Sequence, residues 1–293
     1  MNTLAIDIGG TKFTVALFEQ DLSGEPCMTR RESHSTDREG GPDWMLARLE
    51  AIIRAWRYDA KIARCGIGFG GPVDFPHQRV ALSTHVGGWQ DFPLCERISD
   101  FLDGAPVVMD NDANSGALGE AEYGAGSARR GDRARPLLYL TVSTGIGGGI
   151  VLDNGIYRGA DSWAGEIGHL TIRPSGPECL CGSRGCLERL CAGLWLERDH
   201  GKPAVELFHD EAFVQRYVVD LAQGLKAAIM LLNPAAIVLG GGIAKAGERL
   251  FVPLRAELRR QVTAWSRARL DVRQAALGDD SVLWGAYELA RGQ

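Results

Sequence analysis

Short apolar runs alternate along the chain with longer segments whose apolar residues recur at helical spacing, and glycine turns separate several of the runs. Residues 4–8 form one apolar run, Gly9-Gly10-Thr11-Lys12 a turn, and residues 13–18 a second run rich in β-branched and aromatic side chains. This opening predicts a strand hairpin. Between 42 and 57, Trp44, Leu46, Leu49, Ile52, Ile53 and Trp56 fall on one helical face, and residues 62–69 read as a strand. A helix over 93–103 and a strand over 106–109 follow. The polar cluster Asp110-Asn111-Asp112-Ala113-Asn114 is then suited to capping the next helix. A first α/β unit closes near residue 112.

A second unit opens in the same way. Residues 137–142 read as a strand, Ser143-Thr144-Gly145-Ile146-Gly147-Gly148-Gly149 as a turn, and 150–152 as a resumed extended run. Two strand, glycine turn, strand units in successive halves predict an internal duplication. Residues 211–232 form a long amphipathic helix ended by Asn233-Pro234. Residues 236–239 are a buried strand, and Gly240-Gly241-Gly242 follow at once. Asp279 or Asp280 can cap a last helix reaching Arg291 that returns to pack on the first unit. The expected division is therefore 1–112 with 279–293 against 113–278. Strands alternating with helices make the fold class α/β throughout.

Composition narrows the function. The 293 residues carry a net charge of −5, with 45% hydrophobic and 24% charged residues; wholesale disorder and fibrous structure are excluded. The 38 glycines are roughly twice average usage without a collagen period, so they serve turns or backbone facing a ligand. A pI near 5.7 supplies no field to attract nucleic acid, and the one basic run, Arg129 to Arg135, reads as a solvated loop. Asn233 and Pro234 interrupt the most apolar stretch, so no segment is expected to span a membrane. The first residues lack a basic region and place Asp7 inside an apolar run, unlike a secretory signal, which leads to a cytosolic expectation. Of seven cysteines, Cys179, Cys181, Cys186 and Cys191 lie close together while Cys27, Cys65 and Cys95 are scattered. In a reducing compartment such a cluster reads as metal binding before disulfide.

Three glycine turns could hold phosphate or nucleoside, because backbone amides approach an oxyanion only where no side chain intrudes. Asp7-Ile8-Gly9-Gly10-Thr11-Lys12 adds a carboxylate suited to Mg²⁺ and a lysine of opposite charge to phosphate. Thr144-Gly145-Ile146-Gly147-Gly148-Gly149 offers a second cradle. Gly240-Gly241-Gly242 sits at the carboxyl end of a strand, where α/β sheets bind ligands. Any one of these is more often only a turn. The P-loop pattern is absent. Gly66-Ile67-Gly68-Phe69-Gly70-Gly71 matches G-x-G-x-x-G, but Pro72-Val73-Asp74-Phe75-Pro76 follows where a Rossmann helix would start. Neither G-x-S-x-G nor H-E-x-x-H occurs.

His169 with Cys179, Cys181 and Cys186 offers one imidazole and three thiolates, enough to close a tetrahedral and therefore structural zinc site, against the alternative of free structural thiols. Cys191 reads as core. Glu166 and Glu188 flank this loop and suit vicinal hydroxyls of a sugar, against the alternative of solvated surface acids. Asn111-Asp112 either caps a helix or accepts a proton from an attacking hydroxyl.

Together, Asp7-Ile8-Gly9-Gly10-Thr11-Lys12, Gly70-Gly71-Pro72-Val73, Asn111-Asp112-Ala113-Asn114, Thr144 to Gly149, Glu166-x-x-His169 and Cys179-x-Cys181-Gly182-x-x-Gly185-Cys186-Leu187-Glu188 resemble the sugar kinases of the ROK (repressor, open reading frame, kinase) family, bacterial glucokinases most of all. The resemblance implies a two-lobed actin-like or hexokinase-like ATPase fold of duplicated ribonuclease-H-like domains, with ATP and a hexose bound in the cleft, and a homodimer. It makes Asp112 the catalytic base and puts Gly71, Asn111, Glu166, His169 and Glu188 around the sugar. Asp7 would face Mg²⁺; Gly9, Gly10, Thr11, Lys12, Thr144 and Gly145 would face the phosphates, and Gly241 the adenosine. His169 would bind Zn²⁺ through one nitrogen and the sugar through the other, beside Cys179, Cys181 and Cys186. The implied reaction is transfer of the ATP γ-phosphoryl to the 6-hydroxyl of a hexose. Glucose comes first, with N-acetylmannosamine, N-acetylglucosamine and fructose left open. The family also contains sugar-responsive repressors with a winged helix-turn-helix ahead of the first phosphate motif. Asp7 stands so near Met1 that no such module is expected here.

Overall fold

The computed structural model describes residues 2–83, 86–127, 134–153, 155–267 and 270–292. Most of the basic run expected as a loop lies outside them. Arg135, at its end, is described: its guanidinium is almost fully covered and lies 2.6 Å from the Glu122 carboxylate.

The chain forms two compact units, the first comprising residues 1–119, 158–163 and 282–293. Strands β1 (Asn2–Ile8), β2 (Lys12–Gln20), β3 (Pro26–Ser35), β4 (Ile62–Phe69) and β7 (Val107–Asn111) build its sheet in the order β3-β2-β1-β4-β7, and β5 (Val73–Asp74) and β6 (Arg79–Val80) form a separate small ribbon. β2 runs antiparallel to both β1 and β3, whereas β1, β4 and β7 run parallel. α1 (Gly41–Arg57) starts on Pro42, whose fixed φ suits a first turn, and buries Met45, Leu46, Leu49, Ile52, Ile53 and Trp56. Together with α2 (Leu94–Phe101) it covers Leu4, Ile6, Val15 and Ile67 in one apolar core. α3 (Asp112–Glu122) leaves the end of β7 directly.

The last helix of the chain, Ser281–Arg291, packs in this unit against backbone made bare by glycine. A Cβ at Gly66 would stand 1.8 Å from the Ala286 carbonyl oxygen, and one at Gly285 would stand 1.6 Å from that of Ser115. Larger residues at either position would push this helix off β4 and α3. The first glycines of the Rossmann-like run are thus packing residues of a strand.

The second unit comprises residues 120–157 and 164–281. β8 (Leu137–Val142), β9 (Ile146–Leu152), β10 (Gly155–Ile156), β11 (Ala236–Gly240) and β12 (Val272–Gln274) form a sheet in the order β10-β9-β8-β11-β12. The sequence of pairings is the same as in the first sheet: two antiparallel, then two parallel. The duplication expected from the glycine hairpins is therefore a duplication of topology. Helices α4 (Leu187–Cys191), α5 (Gly193–His200), α6 (Ala204–Leu207), α7 (Glu211–Leu232), α8 (Gly241–Ala244), α9 (Glu248–Gln261) and α10 (Ala264–Arg267) complete the unit, and the C-terminal helix is α11. Asp210 caps α7 through bonds from the Ala212 and Phe213 amides, and Asn233 ends it in the left-handed conformation just before Pro234. Its buried face joins Leu138, Leu140, Ile237 and Leu239 in the second apolar core.

Two elements differ from expectation. β3 was not anticipated, because Arg30, Arg31, Glu32 and Ser33 follow one another along it and no apolar run marks it; pairing with β2 makes it a strand. The turn expected over 143–149 occupies only Ser143–Gly145, where the Ser143 amide donates to the Gly145 carbonyl at 2.9 Å. Gly147, Gly148 and Gly149 already pair with Thr141, Leu140 and Tyr139 inside β9.

A buried carboxylate ties the second unit's loops together. Glu120 is fully covered. One oxygen accepts the Ala125 and Ala276 amides at 2.7 and 3.0 Å, the other the Leu277 amide at 2.9 Å and the Ser281 hydroxyl at 2.7 Å. Removing it strands three amide donors, each costly when left unpaired, while the Ser281 hydroxyl keeps the Gly278 carbonyl at 3.1 Å. Glu120→Ala is expected to lower unfolding free energy by about 3 kcal/mol or more in a denaturant titration; a change under about 1 kcal/mol would contradict the role.

Candidate functional site

The register of the first sheet sets a transverse polar row. Ser33 faces Thr14, Thr14 faces Asp7, Asp7 faces Gly68, and Gly68 faces Asp110. Side chains in register point to the same face of a sheet, so Asp7 and Asp110 share one face with a bare glycine between them. One residue further toward the carboxyl ends, Ile8, Phe69 and Asn111 lie abreast. The β1–β2 turn starts there. Its Gly9 amide donates to the Lys12 carbonyl at 2.9 Å, while the Gly9 and Gly10 carbonyls accept from the Thr36 hydroxyl and Arg38 Nε, each at 3.0 Å. The turn's peptide planes are thus set from outside, with Thr11 and Lys12 at the surface.

At the β7–α3 junction the two readings of Asn111-Asp112 separate. Asn111 does the capping: its Oδ1 accepts the Ala113 and Asn114 amides at 2.9 and 3.3 Å, and its Nδ2 donates to the Gly71 carbonyl at 3.1 Å. Asp112 Oδ1 accepts the Ala113 amide at 2.8 Å. Its Oδ2 lies 3.4 Å from where a Cβ at Gly70 would be, so Gly70 leaves room beside this carboxylate. Gly71 and Asp112 thus meet through Asn111. Asp110, 2% exposed, accepts the Asn111 amide at 2.8 Å and Asn114 Nδ2 at 2.9 Å on Oδ1, and Arg158 Nε at 2.7 Å on Oδ2. Burial pushes the Asp110 carboxyl upward, opposed first by the Arg158 charge and then by these hydrogen bonds.

In the second unit, the Ile146 amide donates to Glu188 Oε2 at 2.8 Å, fixing that carboxylate beside the Thr144-Gly145 turn; a Cβ at Gly145 would stand 2.7 Å from the same oxygen. Glu166 precedes a 3-10 turn, Ile167–His169. Desolvation raises the Glu166 carboxyl; His169 opposes the shift and the Glu188 charge adds to it. Glu166, His169 and Glu188 therefore share one neighbourhood.

His169, Cys179, Cys181 and Cys186 come together as expected, their ligand atoms all within 4.8 Å of one another. Cys181 and Cys186 sulfurs are 3.6 Å apart, and Cys179 Sγ is 4.0 Å from His169 Nδ1. Thiolates on a tetrahedral zinc stand about 3.7 Å apart, so the donor set and spacing fit that ion. The Cys179 amide bonds the Ser183 carbonyl at 2.8 Å and the Gly182 amide the Cys179 carbonyl at 3.0 Å, which folds the loop back on itself. Arg189 donates to the Glu178 carbonyl at 3.1 Å and pairs with Asp199, anchoring the loop to α5. Cys191 is buried in the core, as its sequence position suggested.

Gly241 begins α8 with φ of +83°, and a Cβ there would lie 2.5 Å from the Val142 carbonyl oxygen. The glycine lets the β11–α8 turn lie against the end of β8. Beside it opens a cavity of about 460 Å³ whose walls include Phe208, His209, Gly242, Ile243, Lys245 and Arg249. Sequence reasoning found the glycine run but missed this wall, which comes from two separate segments, 204–209 and 242–249. It also missed Arg158, which is 48 residues from its partner Asp110.

The ROK family model matches residues 3–293, and the chain belongs to the ROK family. It is 30% identical to the glucokinase of Thermotoga maritima, over 99% of this chain and 98% of that protein. It is 36% identical to an N-acetylmannosamine kinase of Salmonella newport over 66% of this chain and 62% of that one. Among solved structures, the ROK hexokinase of Thermus thermophilus superposes with a TM-score of 0.79 at 34% identity, covering 99% and 98% of the two chains. A ROK family glucokinase of Streptomyces griseus, in complex with glucose and AMPPNP, superposes with a TM-score of 0.82 at 26% identity, covering 100% of both. The fold is that of the actin-like, hexokinase-like α/β ATPases.

Proposed function

We propose that this protein is an ATP-dependent hexose kinase that phosphorylates the 6-hydroxyl of glucose, with Asp112 as the base. The observation that carries the proposal is the β7–α3 junction. Asn111 takes over the capping of the helix, so Asp112 holds a carboxylate at the start of α3 with one oxygen directed beside a glycine. A carboxylate so placed can orient an alcohol and accept its proton as phosphoryl transfer proceeds. Support comes also from a related glucokinase of matching length that binds glucose and an ATP analogue.

Gly71, Asn111, Glu166, His169 and Glu188 would hold the sugar hydroxyls. With Nδ1 turned toward Cys179, the imidazole has Nε2 for a hydroxyl, so a zinc ion would fix the ring that positions the substrate. The ion supplies rigidity rather than water activation, because four protein donors close its coordination. Asp7 would hold Mg²⁺; Gly9, Gly10, Thr11, Lys12, Thr144 and Gly145 would face the triphosphate. The cavity beside Gly241, walled by Phe208 and Ile243, is of a size and character suited to the adenosine of ATP. Mg²⁺-ATP supplies the transferred phosphoryl group with part of its charge neutralised. A sugar-sensing protein without turnover would not need both Asp7 and Asp112.

With ATP and a hexose panel, glucose is expected to give the highest kcat/KM, and preference for N-acetylmannosamine, N-acetylglucosamine or fructose would overturn the glucose assignment. Asp112→Ala is expected to reduce kcat by at least about 100-fold while leaving glucose binding, followed by calorimetry, largely intact. Near wild-type turnover in that variant would refute the base. Metal analysis should find one zinc per chain, lost in Cys181→Ser; native protein free of zinc would reject the metal site.

A further inference from the structure

Arg158 stands at a junction that none of the roles above explains. It follows β10, begins the short segment 158–163 that belongs to the first unit, and inserts its guanidinium between two groups. One is the Oδ2 of buried Asp110, at 2.7 Å from Nε; the other is the ring of Phe75, whose centroid lies 3.5 Å from the guanidinium carbon. Phe75 sits in the loop joining β5 to β6, and Gln78, three residues on in the same loop, is bonded to both the amide and the carbonyl of Met109 in β7. The cation is thus held by a stacked ring on an element already fastened to the strand that carries Asp110.

The hydrogen bonds of Asp110 run toward the reacting group. Its Oδ1 holds the amide of Asn111, which precedes Asp112, and the side chain of Asn114, one turn further along α3. Asn114 donates to this oxygen although its own Oδ1 is buried without a hydrogen-bond partner. That arrangement suits a charged Asp110. A protonated Asp110 would instead be a donor, and the orphaned Asn114 oxygen is an acceptor within the same cluster, so neutralisation favours a rotated carboxyl and a released Asn111 amide. The unprotonated acceptor at position 110, rather than packing alone, orders the turn on which Asp112 stands, and an asparagine oxygen could accept the same two bonds without a charge to compensate. A buried carboxylate keeps its charge only when compensated, and Arg158 is the cation in contact with it. Asp110 also shares its register row with Asp7 across Gly68. Pairing with arginine reserves this second carboxylate for the junction.

We propose that Arg158 is a positioning residue for phosphoryl transfer, acting through its ion pair with Asp110 to hold Asn111 and Asp112 in their reactive arrangement. The proposal rests on the kinase reading of Asp112. It does not require Arg158 to touch sugar or nucleotide.

The test compares wild type, Arg158→Gln, Arg158→Lys and the double variant Asp110→Asn/Arg158→Gln in steady-state ATP-dependent hexose phosphorylation, with thermal melting recorded for each. Arg158→Gln is expected to lower kcat tenfold or more while the KM for ATP stays within twofold. The double variant, which removes the uncompensated charge together with the cation, is expected to recover at least fivefold of that loss. Arg158→Lys, which keeps the charge, should retain at least a third of wild-type kcat and gives the answer if Arg158→Gln does not fold. An Arg158→Gln enzyme with kcat within threefold of wild type, a double variant no better than the single, or Arg158→Lys below a tenth of wild type would each overturn the proposal. A wild-type protein that phosphorylates no hexose would instead bring down the kinase reading, and this proposal with it.

Discussion

In each unit the constraint on which the rest depends is the parallel pairing of the middle strands. Three parallel strands place their carboxyl ends abreast, and in an α/β sheet the groups at those ends are the ones available to a ligand. In the first sheet the ladder β1-β4-β7 brings Asp7, Asp110 and the Asn111-Asp112 junction to one end. In the second, β8-β11-β12 does the same for the Ser143–Gly145 turn and Gly240-Gly241. Neither set of residues is contiguous in the chain; register alone assembles them. A slip of one residue in β7 would turn Asp110 to the opposite face and disconnect it from Arg158.

The glycine content follows from the same constraint. Some glycines are bare strand positions that admit a helix, as Gly66 admits Ala286. Others are turns at strand ends, as Gly241 is at the end of β11, where a positive φ and the nearby Val142 carbonyl leave no room for a side chain. A glycine-rich sequence therefore yields tight cores and exposed turn backbone in one chain.

What could be read from the sequence was what is local. Hairpins, amphipathic helices and the Asn233-Pro234 stop depend on periodicity and on residues with restricted backbone, and they appear where expected. The quartet of candidate zinc donors was legible because its three cysteines lie within eight residues and only His169 is brought from outside. The glycines of β9 were misread as turn because glycine in a strand leaves no propensity signal; the pairing with β8 is a tertiary fact. β3 was missed because a strand with one solvated face and many charges looks like a loop. Arg158 was invisible for a different reason: a buried ion pair between distant residues has no periodicity, and Asp110 read equally well as part of a helix cap.

The central claim is that the Asp112 carboxylate faces the hydroxyl that receives phosphate. Crystals grown with glucose and a non-hydrolysable ATP analogue test it most directly. The account predicts an Asp112 oxygen within about 3 Å of the glucose 6-hydroxyl. An Asp112 carboxylate directed away from the bound sugar, with another group on that hydroxyl, would contradict it.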